Sequence, residues 1–332
     1  MYAENTRREF MQSLGVAGAG VALAGSPLLA AALGEPQGLK ARVVLARDEA
    51  LLKGKLDEHR DLLCRLLEAA LQKLIGVSNA ETAWRTVFSP GNRVGIKVNT
   101  LGLSTQPAVV DTIVAGLRKA GLPEKNIIIW DRFDVELAQA GFKLNKSSSG
   151  VRCFGTDAEA IGGGYQSEVE DSGSIGSCFS RIAAEQVDTL ISVPVLKDHN
   201  LAGASLGMKN FYGAIHNPNK YHDYNCDPYV ADVVSHRFIG PKWTLTVCDG
   251  TRAQYNAGPG FHPGFRWPFG GLIVSTDFVA ADAVGADLLD AQRKSKGLNV
   301  LSEDGRPAKH IATAGARGLG VADLSRIERI EV

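Results

Sequence analysis

The sequence predicts an α/β protein, a mostly parallel sheet flanked by helices with loop-rich segments inserted between its strands. Three observations carry that expectation. Short apolar runs of strand length alternate with helical patterns, the β-α-β rhythm of parallel strands joined by right-handed crossovers. Several of these runs finish on a polar residue, as strands do when they deliver functional groups at the carboxyl edge of such a sheet. Of 332 residues, 45% are hydrophobic and 22% charged, an ordinary globular composition on a chain long enough for a substantial core.

The N-terminal stretch belongs to a different class. Thr6-Arg7-Arg8-Glu9-Phe10-Met11 precedes an Ala- and Gly-rich apolar stretch from about Leu14 to Leu33, the layout of a twin-arginine export signal. Gly15, Gly18, Gly20, Gly25 and Pro27 keep that stretch only weakly hydrophobic, so no stable membrane span is expected in the mature chain. Ala30-Ala31-Ala32 offers a small-residue cleavage site. Residues 1–34 are therefore expected to be a signal peptide read by the twin-arginine machinery, with a periplasmic destination. Residues 35–332 are expected to form a single α/β domain, with a division into two subdomains left open.

Ala41 to Arg47 reads as a first strand around Val43, Val44 and Leu45. Leucines at helical spacing from Leu51 to Leu74 predict one long amphipathic helix. After Ser89-Pro90-Gly91, the run Arg93 to Thr100 is a strand ending on polar residues. Pro107 opens a helix through Leu117, a position where its missing N–H costs nothing. Asn126 to Trp130 is a further buried strand ending at Asp131. Between Ala138 and Ser180 the periodicity fades into short strands and turns. The triple glycine Gly162-Gly163-Gly164 lacks the lysine-serine ending of a phosphate loop and reads as a turn. Later elements are helices at Pro228–Val234, Val279–Leu289 and Ala308–Ala316, and strands at Trp243–Val247, Leu272–Ser275 and Ile327–Val332.

The stretch from Thr189 to His222 concentrates the chemistry. Thr189 to Leu196 reads as a buried strand, with Lys197, Asp198 and His199 at its carboxyl end. A lysine, a carboxylate and an imidazole are costly to desolvate there unless they serve one another or a ligand. A small-residue turn through Gly203 and Gly207 leads to Lys209 and Asn210, then to His216 and His222. Lys97, a charge inside an apolar strand, needs a partner or a ligand, and the acidic residues at strand ends are candidate partners. Asn99, Asp131, Asp249 and Asp277 also stand at strand ends. For Asp249 a turn, and for Asp277 a helix cap, explains the residue equally well.

From these positions the expected catalytic residues are His199, Lys197, Lys97 and Asp198. Lys209, Asn210, Asn99 and Asp131 are expected to bind a cofactor, and His216, His222 and His199 to ligate a metal. Lysines and arginines balance aspartates and glutamates at 36 each, which argues against a nucleic-acid partner. Of Cys64, Cys153, Cys178, Cys226 and Cys248, no two have Cys-x-x-Cys spacing, so nothing supports a cysteine-held iron–sulfur cluster.

Gly95-Ile96-Lys97-Val98-Asn99, Pro194 to His199, Lys209-Asn210 with Tyr212-Gly213, and Asp277 through Asp282 resemble the pattern of the domain family of unknown function number 362. Many members of that family add a ferredoxin-like segment whose closely spaced cysteines this chain lacks. A more distant similarity is to the nickel-pincer lactate racemase family. That likeness implies that Lys209 carries a metal cofactor, that His199 is a catalytic histidine and that His216 binds the metal. The second histidine expected close after His199 is missing, with Asn200 and Leu201 in that region. The expectation for function is an exported enzyme, dependent on a transition metal or a lysine-linked cofactor, that works on a small anionic molecule by acid–base chemistry. The rival is a non-catalytic ligand-binding or metalloenzyme accessory protein.

Overall fold

A computed structural model describes residues 40–332; the expected export signal lies outside them. Among the described residues thirteen strands and eight α-helices follow in chain order. They are β1 (Ala41–Arg47), α1 (Arg60–Ile75), α2 (Ala80–Val87), β2 (Val94–Val98), α3 (Pro107–Lys119), β3 (Ile127–Trp130) and α4 (Asp134–Gln139). Next come β4 (Arg152–Cys153), β5 (Glu170–Ser172), β6 (Ile175–Ser177), β7 (Thr189–Val193), β8 (Val195–His199), β9 (Gly203–Ala204) and α5 (Gly207–Asn210). The last are α6 (Tyr229–Ser235), β10 (Trp243–Gln254), β11 (Arg266–Trp267), β12 (Gly271–Ser275), α7 (Phe278–Ser295), α8 (Lys309–Ala316) and β13 (Ile327–Glu331).

One sheet runs in the order β13-β1-β12-β10-β7-β2-β3-β4. The pairs β10–β7, β7–β2, β2–β3 and β3–β4 are parallel, as is β1–β13, while β12 runs antiparallel to both its neighbours. The result is an α/β fold with a mostly parallel sheet, as the sequence predicts. Strand alternation divides the core between two faces. Val94, Ile96, Val98, Ile191 and Val193 pack beneath α1, α2 and α3 through Leu67, Trp84 and Ile113. On the opposite face, Ile128, Trp130 and Leu190 meet Phe211, Trp243 and Phe278. Lys97 alternates onto this second face, between Trp130 of β3 and Ser192 of β7.

Four boundaries differ from expectation, each for a physical reason. The leucine-rich helix starts at Arg60, because Gly54 takes φ +66° and the residues before Arg60 form two short 3-10 turns. Helix α2, which the leucine pattern did not suggest, is capped by the Asn79 side chain accepting from Thr82 N and buries Trp84. Pro194 interrupts the central strand, so β7 ends at Val193 and β8 continues beside β10 through Asp249↔Val195. Asp249 lies inside a twelve-residue strand, β10, rather than in a turn.

Among the described residues no helix is long and apolar enough to cross a membrane. All five cysteines are free thiols.

Candidate active site

The carboxyl ends of β2 and β3, strand β8, helix α5 and the turn around His222 enclose a cavity of about 150 Å³. Four cationic side chains line it, Lys97, Lys197, Lys209 and Arg132, against two carboxylates, Asp131 and Glu136.

Its floor is an ion pair. Lys97 Nζ donates to Asp131 Oδ1 at 2.6 Å, to Val98 O at 2.8 Å and to Asn210 Oδ1 at 3.3 Å. Asp131 also accepts from Thr100 N and Oγ1, both at 2.9 Å, and from Arg132 N at 2.8 Å. Burial pulls the Lys97 ammonium below its ordinary range and Asp131 pulls it back. Asn210 donates from Nδ2 to Lys97 O and Ser192 Oγ, locking α5 to the floor. The chain passes this pair at Gly213, where an added Cβ would stand 2.8 Å from both Lys97 Nζ and Asp131 Oδ1. A glycine is required there by close approach.

Lys197 is fully buried but has no carboxylate partner among the described residues. Its ammonium donates to Asn99 Oδ1 at 2.9 Å and to the carbonyls of Leu101 and Leu103. Desolvation lowers its pKa to about 7. With three neutral acceptors on three protons, Lys197 supplies charge to the cavity rather than a free hydrogen bond.

Lys209 differs from both. Its Nζ stands 3.8 Å from the Tyr212 ring centroid and 3.1 Å from His222 Nε2, and it has no oxygen partner among the described residues. Burial lowers its pKa to about 8. His222 Nδ1 lies 3.0 Å from Pro218 O, which only accepts, so Nδ1 carries the proton and Nε2 presents a lone pair to Lys209. His199 has the complementary tautomer. Its Nδ1 accepts from Leu201 N at 3.1 Å and Ala202 N at 3.2 Å, so in the neutral ring Nε2 holds the hydrogen. Burial drives the His199 pKa down to about 2, which keeps the ring neutral. The two rings stack, with centroids 5.9 Å apart. One therefore faces the site as an acceptor and the other as a donor.

Helix α5 is held by a residue that strand and helix patterns did not single out for the site. Asp282 of α7 accepts from Gly207 N and Met208 N, both at 2.8 Å, and burial raises its pKa to about 7. Leu206, just before the helix, sits at φ +27°, a strained conformation for a non-glycine residue and one typical of functional turns.

The structure brings Lys97, Asn99, Asp131, Lys197, His199, Lys209, Asn210 and His222 to one cavity, and it sends four other candidates elsewhere. Asp198 alternates away from Lys197 and His199 along β8. It pairs with Arg306 Nη1 at 2.5 Å and accepts from Gly258 N at 2.8 Å, fully buried. The Gly258 bond ties β8 to the loop whose Pro259 lines the cavity. His216 is exposed, packs edge-on against Tyr165 at 5.2 Å and is not among the lining residues. Asp277 lies at the opposite edge of the sheet, because β12 is antiparallel, and caps α7 by accepting from Ala280 N at 2.9 Å. Asp249 likewise anchors the start of α3, accepting from Gln106 N at 2.8 Å.

These placements also bear on a protein-held metal. Among the described residues no group of three or more His, Cys, Asp or Glu is arranged to hold one. The His199 Nδ1 lone pair is taken by two amides, His222 Nε2 faces Lys209, and His216 is outside the cavity. The donor set therefore does not fit a protein-ligated metal, nor the arrangement in which His216 completes a metal centre on Lys209.

Several lining residues were given no expected site role: Thr100, Arg132, Glu136 and Tyr212. Arg132 directly follows Asp131 at the end of β3, and its Nε is buried with no partner among the described residues. Its position after a strand end was the available signal.

Comparison with curated proteins gives no match. A family model described as "Domain of unknown function (DUF362)" matches residues 93–287. Because that match takes in more than half of the chain, and with it every lysine and histidine of the cavity, the chain belongs to the DUF362 family.

Proposed function

We propose that the protein is an enzyme that binds a small organic anion in this cavity and moves protons on it through Lys209 and His222. One observation carries the proposal: Lys209 is a buried amine in a cation-rich cavity whose polar partner among the described residues is an imidazole lone pair of fixed tautomer. Such an amine exchanges protons near neutral pH, where general acid–base groups work best. The anion is drawn by the surplus of lysine and arginine charge, and Arg132 offers a fork suited to a carboxylate. His199 Nε2–H donates toward a ligand oxygen, as a neutral ring that does not compete for the proton. No step is assigned to a metal, because the donor set does not fit one.

Anion binding restores charge that burial has removed from Lys197 and Lys209, so it takes up protons, and affinity falls as pH rises past about 7 and more steeply past about 8. The test is a titration of the full chain with lactate and gluconate, followed by incubation in deuterated water with proton NMR. Binding with exchange of the α-hydrogen supports the enzyme. Binding without exchange transfers the assignment to a non-catalytic anion-binding protein, and no binding of either acid refutes the anion reading.

A further inference from the structure

The proposed acid–base role leaves one feature of the cavity unused, the nucleophilicity of the Lys209 amine. Three buried lysines reach this cavity, and their surroundings divide them. Lys97 Nζ is held by a carboxylate and two further oxygens, and Lys197 Nζ by three oxygens. A nitrogen so surrounded is anchored with its hydrogens turned to those oxygens, and even when neutral it is not free to approach a ligand. Among the described residues Lys209 Nζ meets the face of Tyr212 and His222 Nε2 and no oxygen.

Around it stand the parts that amine addition to a carbonyl needs. His222 Nε2 is an acceptor within 3.1 Å of the nitrogen. His199 presents Nε2–H from a ring stacked on His222, a donor for the carbonyl oxygen. Arg132 lies on the wall. The volume of about 150 Å³ leaves room for a small ligand.

We infer that Lys209 forms a Schiff base with a short 2-oxo acid, its carboxylate on the Arg132 side and its carbonyl carbon over Nζ. This rests on the anion reading above and adds the substrate class. The step balances without a redox partner. Neutral Nζ attacks the carbonyl carbon, the C–O π pair moves to oxygen, where the His199 Nε2–H hydrogen bond steadies it, and His222 Nε2 accepts a proton from the nitrogen and returns it to that oxygen. A second proton, from solvent, lets the carbinolamine oxygen leave as water while the nitrogen lone pair closes the C–N bond to an iminium. The iminium then draws electrons from the adjacent carbon, which makes its proton or carboxylate easier to remove.

The test is borohydride trapping on the full chain with pyruvate or glyoxylate near neutral pH, read by peptide mass. The expected result is one reduced imine on the peptide bearing Lys209. The surface lysines serve as an internal reference, at a level on the order of a hundredfold lower, because at the ordinary lysine pKa they hold far less neutral amine. His222→Gln retains a nitrogen or oxygen near Nζ but no basic lone pair, and slows trapping about tenfold or more without loss of the folded transition. Lactate and acetate, which lack a reactive carbonyl, act as the control. If they stabilise the protein while no adduct forms on Lys209, the Schiff base is overturned and the anion reading stands. Where neither anion nor oxo acid affects the protein, both fail. Equal labelling of Lys209 and surface lysines also overturns the inference.

Discussion

The floor and the wall of the cavity are built from the same residue type and arranged in opposite ways. On the floor, Lys97 lies against Asp131, and every hydrogen of the ammonium has an oxygen to meet. On the wall, Lys209 has an aromatic face and an imidazole, and nearby His310 is fully buried with neither ring nitrogen bonded among the described residues. The difference teaches that burial alone does not define a reactive lysine. A buried lysine with a carboxylate is a brace, whereas one without oxygen partners keeps its nitrogen available for chemistry.

Stability measurements break this comparison if the two lysines respond alike. Asp131→Ala leaves the Lys97 charge buried and unpaired, and denaturant titration should show a loss of about 3–5 kcal/mol. Lys209→Met removes a desolvated amine and keeps its stem, so the same titration should show a change within about 1 kcal/mol, in either direction. A loss for Lys209→Met equal to that for Asp131→Ala would make Lys209 structural.

The link between wall and helix gives the next effect. Asp282→Ala leaves Gly207 N and Met208 N without their acceptor at the start of α5, and should cost about 1–3 kcal/mol. It should also slow trapping at Lys209, two residues further on, whereas Asp277→Ala, at the other sheet edge, should leave trapping unchanged.

Charge on the wall fixes the sign of a pH dependence. Lys197 at about 7 and Lys209 at about 8 both stand below the ordinary lysine value of 10.5. Between those values and 10.5 the unfolded chain binds more protons than the folded one, so these groups make stability rise with pH across that window and oppose folding most fully below it. Denaturation of wild type and Lys209→Met at intervals from neutral to alkaline pH should show a smaller rise in the variant. The smallest effect is expected at His310, whose burial and the nearby Lys209 charge lower its pKa to about 3. His310→Leu should hold or raise stability by up to about 1 kcal/mol, since an unpartnered polar ring gives way to an apolar side chain. A clear loss would mean that the ring has a bound water or ligand as its partner.

Much of the arrangement was legible in the sequence because it depends on local pattern. The β-α-β alternation yielded the sheet, and the strand ends yielded Lys97, Asp131, Lys197 and His199. Lys97 announced its need for a partner by its place in an apolar run, and Asp131 at the end of the neighbouring strand meets that need. What stayed hidden depends on direction and on contacts far apart in the chain. Asp277 shares its strand-end position with Asp131, but only the antiparallel pairing of β12 reveals that it faces the other way. Asp198 was grouped with its neighbours because the strand was expected to stop at Leu196. Once β8 runs on past Pro194, the two-residue period separates Asp198 from Lys197 and His199 and turns it to Arg306, 108 residues later. Histidine tautomers were beyond reach, since Pro218 O and the amides of Leu201 and Ala202 set them through turn geometry.

The most direct test of the contrast between floor and wall is amine labelling of the folded protein with an arylating reagent across neutral to alkaline pH, quantified by peptide mass at Lys97 and Lys209. Lys209 should label with a midpoint near pH 8, while Lys97 stays protected until the protein unfolds. Labelling of Lys97 at the same rate, or a Lys209 midpoint at the ordinary 10.5, would contradict the assignment of Lys209 as the reactive amine.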